Sequence, residues 1–153
     1  MIRKAEKKDI ARIIALLHQV NMVHYELRPD LFKPYTTKYN EQELEALLDD
    51  ADNPIFVFDE DGVAGYAICQ IINVKDTALL HAVKTLYIDD ICVDEQARGK
   101  HVGKSLYEYV YQYAKSVGCH NITLNVWTGN APAISFYQNM GMGVQKTTME
   151  VIL

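Results

Sequence analysis

Two adjacent acids, Asp89 and Asp90, precede a glycine- and cation-rich segment, Arg98-Gly99-Lys100-His101-Val102-Gly103-Lys104, which sits between a strand pattern and a helix pattern. A helix start presents unpaired N–H groups and a partial positive charge, which suits an anion. Glycine there permits close backbone approach and a positive φ. Arg98, Lys100 and Lys104 add cations suited to a phosphate-rich ligand. The same spacing also describes a tight strand-to-helix turn with a basic surface. It is not a dinucleotide fingerprint, because Gly-x-Gly-x-x-Gly is absent. Nor is it a Walker loop: Gly103-Lys104-Ser105 has Arg98, not glycine, five positions upstream of Gly103.

Carboxylates so close together suit two tasks, taking a proton or holding a cation. Successive strand residues face opposite sides, so regular pleating lets at most one of Asp89 and Asp90 point at a given substrate. The three cysteines, Cys69, Cys92 and Cys119, are odd in number and widely spaced. That argues against a disulfide framework and a zinc site and favours a reducing compartment. His18, His24, His81, His101 and His120 show no metal-ligand spacing. His18 and His24, with Tyr25, Tyr35, Tyr39 and Trp127, are candidates for a substrate wall, with packing the default for each.

The elements that must position these groups follow from periodicity. A short strand, Ile2 to Ala5, precedes a helix with Ile10, Ile13, Ile14, Leu17, Val20 and Leu27 at helical spacing. Pro29 and Pro34 bracket a loop, and Asn40 with Glu43 forms a capping pair for a short helix through Leu48. Strands are expected at 55–58, 63–74 and 83–93, the first two joined by the Asp61-Gly62 turn. A helix with Leu106, Tyr107, Val110, Tyr113, Ala114 and Val117 on one face stops at Gly118. A strand over 121–127, a helix after Asn130 with Pro132 in its first turn, and a closing strand over 144–153 complete the reading. The order β-α-α-β-β-β-α-β-α-β implies a mixed sheet with helices on both faces.

At 153 residues, with no repeat or Gly/Ser linker, the chain reads as one domain spanning 1–153. Its net charge of −5 repels phosphate backbones, so nucleic acid is not expected as a partner. No signal peptide is visible, and no apolar run approaches the ~20 residues of a membrane span. A soluble, cytoplasmic protein without a membrane partner is expected.

The element order, the loop from Gln96 to Gly103, and Asn130 with Phe136-Tyr137 and Gly141-Met142 together resemble the GNAT superfamily of N-acetyltransferases. The likeness spans nearly the whole chain and is most specific from Tyr87 to Gly143. It implies a mixed, mostly antiparallel central sheet and acetyl-CoA as acetyl donor, with no metal. The family loop Arg/Gln-x-x-Gly-x-Gly/Ala maps onto Arg98, His101 and Gly103, with His101 where the middle glycine is usual. Coenzyme contacts are then implied for Arg98, Gly99, Lys100, His101, Val102, Gly103 and Lys104. Backbone at Ile91, Cys92 and Val93 would pair with the pantetheine arm like an added strand. Asn130 would cap the last helix, with cofactor contact as a second role, while Cys92 reads as a small buried filler.

Acetyl transfer to an amine needs a neutral nucleophile, a polarised carbonyl and a protonated leaving thiolate. The resemblance points to Tyr137 as the proton donor. The strand Tyr87-Ile88-Asp89-Asp90-Ile91-Cys92-Val93 looks like its counterpart in spermidine/spermine-type acetyltransferases, which makes Asp89 the first choice as base and Asp90 the second. A small, cationic primary amine is the expected acceptor, attacking directly in a ternary complex. A protein N-terminus or lysine side chain is an alternative acceptor, and a non-catalytic acyl-CoA-binding module is a further alternative. The last strand suggests a homodimer.

Overall fold

The computed structural model describes residues 1–153. A short strand β1 (Ile2–Lys4) leads through a 3-10 turn into helix α1 (Ile10–Leu27), followed by α2 (Glu41–Leu48). Strands β2 (Ile55–Asp59), β3 (Val63–Val74) and β4 (Val83–Val93) come next, then α3 (Val102–Ser116), β5 (Asn121–Thr123) and α4 (Ala131–Asn139). The local signals act as expected. Asn40 Oδ1 accepts from Glu43 N at 2.8 Å while Glu43 reaches back to the Asn40 amide, closing the capping box on α2. Gly118, with φ +78°, ends the third helix in the left-handed region. None of the helices is long and apolar enough to cross a membrane.

The five strands lie in sequence order, antiparallel from β1 to β4, with β5 added parallel to β4. This is an α/β fold around a mixed, mostly antiparallel sheet. One core layer packs Ile10, Ile13, Leu16 and Leu17 of α1 and Leu44 of α2 onto Val57, Tyr66 and Ile68. The other packs Val102, Leu106, Val110 and Ala114 of α3 onto Phe56, Ala67, Leu86 and Ile88. Arg3 fastens the start of the chain, donating to Asp9 Oδ2 at 2.7 Å and Asp59 Oδ2 at 2.7 Å.

Two departures from the sequence reading shape the site. The strand expected over 121–127 pairs with β4 only at Thr85–Tyr87 opposite Asn121–Thr123, after which the two segments diverge. The strand expected over 144–153 does not form. Its composition suits a strand, but a strand exists only where an edge supplies the ladder, and no edge in this chain does so.

Gly65 sets the spacing between sheet and α3. A Cβ there would lie 2.8 Å from the Cys92 carbonyl oxygen and 3.1 Å from both Leu106 Cδ1 and Val102 Cγ1. The first turn of α3 therefore rests directly on the backbone of β3. Gly65→Ala should cost about 1–3 kcal/mol of stability, the usual penalty of overpacking, read by urea denaturation.

Candidate active site

The parallel pairing of β4 with β5 stops at Tyr87, so β4 from Ile88 to Val93 is bonded only on its β3 side. Its other edge has no partner strand beyond Tyr87. Ile91, Cys92 and Val93 lie on this edge, where an extended ligand arm could take the place of a strand. The Cys92 side chain points away into the α1 layer, its Sγ 3.6 Å from the Leu16 carbonyl. Burial pushes its thiol up to about 12, which makes it a filler and not a nucleophile.

After β4 the chain makes a 3-10 turn, Glu95–Ala97, fixed by Asp94 accepting from the Gln96 amide at 3.1 Å. Gly99 (φ +81°) and His101 (φ +60°) are both left-handed, and His101 occupies the N-cap of α3. The position is thus glycine-like in conformation although it is not glycine, and histidine is among the residues that tolerate it. The first α3 bond runs from Ser105 N to the His101 carbonyl at 3.0 Å. No hydrogen bond within the chain takes up the amides of Gly99 through Lys104. Six consecutive donors at a helix start, with Arg98, Lys100 and Lys104 exposed around them, make an anion cradle.

Beside the cradle lies a cavity of about 490 Å³ lined by Val93, Ala97, Gly103, Phe136 and Met140 among others. Gly103 faces the Phe136 ring, and a Cβ at this position would meet the ring Cζ at an ordinary contact distance of 3.5 Å. A polar hollow of about 590 Å³ around Arg3, Arg12 and Asp94 is elsewhere, with Arg3 paired to Asp9 and Asp59 and Arg12 to Asp94. Asn130 caps α4 by accepting from Ala133 N at 3.3 Å, so its side-chain oxygen is committed to the helix.

The acids behave differently from simple pleating. Ile68 pairs with Asp90 and Cys69 with Ile88, which leaves Asp89 as the extra residue of a β-bulge. The bulge shifts the phase of the strand: Ile88 faces the α3 layer, whereas Cys92 faces the α1 layer. Both acids consequently reach groups on the α1 side, against the expectation that only one would. Asp89 accepts from Lys38 Nζ at 2.5 Å and from Tyr39 OH at 2.5 Å. Asp90 accepts from Tyr66 OH at 2.7 Å. Burial is the main cause raising the Asp90 carboxyl to about 6, opposed by the Tyr66 hydrogen bond and the Lys38 charge.

Tyr137 lies on α4, its ring 5.2 Å from Phe136 in an edge-on contact. Burial first, and then the charge of Asp90, push its phenol well above the ordinary tyrosine value. It stays protonated and within electrostatic reach of β4. Of the aromatic candidates, Tyr39 joins the acid pair. Trp127 stacks edge-on with Phe32 at 5.9 Å, and Phe32 meets His24 at 5.1 Å. Desolvation lowers the His24 pKa, keeping its ring neutral. Tyr25 is half-buried on α1, while His18 and Tyr35 are exposed and outside this group. Lys38 and Tyr66 were not legible as site residues, because their only link to the acids is spatial.

A mixed, mostly antiparallel sheet with an amide-lined helix start after β4 agrees with the fold that the sequence resemblance implies for an acetyltransferase. The model of the acetyltransferase (GNAT) family matches residues 20–142, and the chain belongs to that family. It is 29% identical over 98 residues to the glucosamine 6-phosphate N-acetyltransferase of Arabidopsis thaliana, an alignment covering 64% of each chain. The chain thus spans just under two thirds of that curated relative in sequence. The crystal structure of that enzyme superposes with a TM-score of 0.72 at 25% identity, covering 99% of this chain and 97% of the other. A mutant of the BH1408 protein of Bacillus halodurans superposes at 0.96 with 30% identity over 100% and 99% of the two chains. An aminoglycoside N-acetyltransferase crystallised with CoA shares the fold at 0.75 with 16% identity, covering 100% of this chain and 98% of the other.

The Asp90 environment has a consequence for stability. A carboxyl whose folded pKa is raised stabilises the fold below its unfolded value of about 3.9, and that contribution is lost as pH rises through about 6. Asp90→Asn should therefore be more stable than the unsubstituted chain at pH 7. The difference should disappear by about pH 4, as read by urea denaturation at the two pH values.

Proposed function

We propose that the protein transfers the acetyl group of acetyl-CoA to the primary amine of a small cationic molecule, by direct attack in a ternary complex. The observation that carries the acceptor assignment is the Lys38 ammonium seated on Asp89 beside the Tyr39 ring. Lys38 Nζ stands in for an alkylammonium, so a carboxylate and an aromatic face already hold that chemical group next to Asp90. The six free amides from Gly99 to Lys104 support binding of the pyrophosphate, and the open edge at Ile91–Val93 supports the pantetheine arm. Family membership supports the same donor.

In this reading the two acids divide the work, in the reverse of the order first expected. Asp89, already engaged by two donors, orients the acceptor ammonium, and Asp90 takes its proton directly or through one water. An alkylammonium of pKa about 10.4 gives its proton to a carboxyl near 6 at a cost of about 6 kcal/mol. That is well inside the ~13–17 kcal/mol barrier of an ordinary turnover, and nitrogen acidity rises as the bond to the acetyl carbon forms. The nitrogen attacks the thioester carbon, the C–S bond breaks, and the sulfur leaves as thiolate. Tyr137, held protonated, donates its proton to that sulfur, and the second proton of the nitrogen, released as the amide forms, restores the phenol through water.

The Lys38–Tyr39 loop folded over Asp89 favours a small acceptor over a protein segment, which would need an open groove. The intact Asp90 and Tyr137 favour an enzyme over a passive acyl-CoA binder. A cytoplasmic setting fits the three free cysteines.

Release of coenzyme A thiol from acetyl-CoA, assayed with a panel of mono-, di- and polyamines, tests the reaction. Tyr137→Phe should lower kcat by about 10²–10⁴-fold while preserving the rise in melting temperature on adding coenzyme A. An unchanged kcat removes Tyr137 from the mechanism. The rate should climb with pH through an apparent pKa of about 6, and Asp90→Asn should abolish that limb.

A further inference from the structure

One lysine–carboxylate pair is unlike the others. Lys7–Glu45, Lys8–Glu6 and Lys104–Glu108 join side chains on the open surface. Lys38 instead pairs with Asp89, a carboxylate only 15% exposed and next to Asp90 on β4. Its chain neighbours hold it there. Tyr39 packs against the α1 core layer and donates to the second oxygen of Asp89 at 2.5 Å. Thr37 Oγ1 donates to the Tyr39 carbonyl at 2.7 Å, and Asn40 is fixed as the cap of α2. The loop therefore sets the place of Lys38, not its ion pair alone.

The Lys38 ammonium is within electrostatic reach of the reacting groups proposed above. Burial is the leading influence on both Asp90 and His24, and the Lys38 charge acts on each as well. The Asp90 charge, after burial, is in turn the next influence on Tyr137. An amine, a carboxyl and a protonated phenol thus stand in one neighbourhood, and the amine belongs to the chain itself. Lys38 is 50% exposed on a flexible four-carbon stem, so its ammonium is free to swing away from Asp89 and return.

Resting on the acetyl-transfer reading above, we propose that Lys38 is itself an acceptor: without a free amine the protein acetylates its own Lys38, which vacates Asp89 for the substrate. Lys38 Nζ gives one proton to Asp90, directly or through one water, and the neutral amine attacks the thioester carbon of acetyl-CoA. The N–C bond forms, the C–S bond breaks with its electron pair passing to sulfur, and Tyr137 protonates the thiolate. The second proton of the nitrogen restores the phenol through water, and Asp90 returns its proton to solvent. The products are a neutral acetamide on Lys38 and coenzyme A. An acetamide carries no charge, so it no longer competes with a cationic substrate for Asp89.

The test incubates the full chain with acetyl-CoA and no amine, followed by intact mass and peptide mapping. One acetyl group per chain should appear, on Lys38, at a rate unchanged on diluting the protein. Exposed Lys33 and Lys75 should take up acetyl only as fast as they do in the urea-unfolded chain. Tyr137→Phe should slow the Lys38 reaction by about 10²–10⁴-fold, and Lys38→Arg should take up no acetyl beyond that background. Lys38→Gln, the uncharged counterpart of the acetylated side chain, should lower the KM for an amine acceptor by about two- to fivefold. If added amines are acetylated while Lys38 reacts no faster than Lys33, self-acetylation is overturned and the transfer reading stands. If neither Lys38 nor any amine takes the acetyl group, both fall. An unchanged or raised KM in Lys38→Gln overturns the claim that Lys38 holds the acceptor's place.

Discussion

Between Ile88 and Val93, strand β4 has backbone polar groups on one edge and no strand to receive them. Polar backbone facing a crevice must find partners, so this edge either stays wet or takes a ligand. The departure of the chain from β4 after Tyr87 creates the opening. Gly65 keeps α3 pressed onto the sheet beside it, with the free amides of Gly99–Lys104 at the start of that helix. The open edge and the free amides lie at the two ends of the connection from β4 to α3, and everything proposed for the donor depends on both.

The bulge at Asp89 sets the facing of the acid pair, as the end of β4–β5 pairing sets the open edge. In a regular strand Asp89 and Asp90 would face different layers. One extra residue turns both toward α1 and the 38–39 loop, and it does so at the level where the edge opens. Their environments then separate their chemistry. Asp89 is matched to an ammonium and a phenol, whereas Asp90 has one neutral donor and little solvent. Two like acids in adjacent positions differ in hydrogen bonding and burial because of what each touches, not because of residue type.

Much of the fold was legible because it is local. The bounds of β3 and β4, the Asn40–Glu43 box and the stop at Gly118 follow from alternation, capping chemistry and one glycine. The turn into α3 at Arg98–Gly103 was legible because its cations, glycines and helix start are contiguous. The strand over 144–153 was misread for a physical reason. Strand propensity reports suitability for a ladder, and whether a ladder is offered depends on chain segments far away. The facing of Asp89 and Asp90 was misread because a one-residue register shift leaves no mark in the pattern of either strand.

Sequence by itself determined the order of elements through α4, the helix start behind a cation- and glycine-bearing loop, and the presence of two adjacent acids on β4 and a tyrosine on α4. Each is written in contiguous residues whose spacing matches a backbone period. Tertiary structure alone decided that Lys38 and Tyr39 meet Asp89 from 51 and 50 positions away, and that Tyr66 meets Asp90 from 24. It also decided that β5 parts from β4 at Tyr87 and leaves an edge open. Those facts depend on which distant segments pack together, and burial and charge at the site are set by that packing.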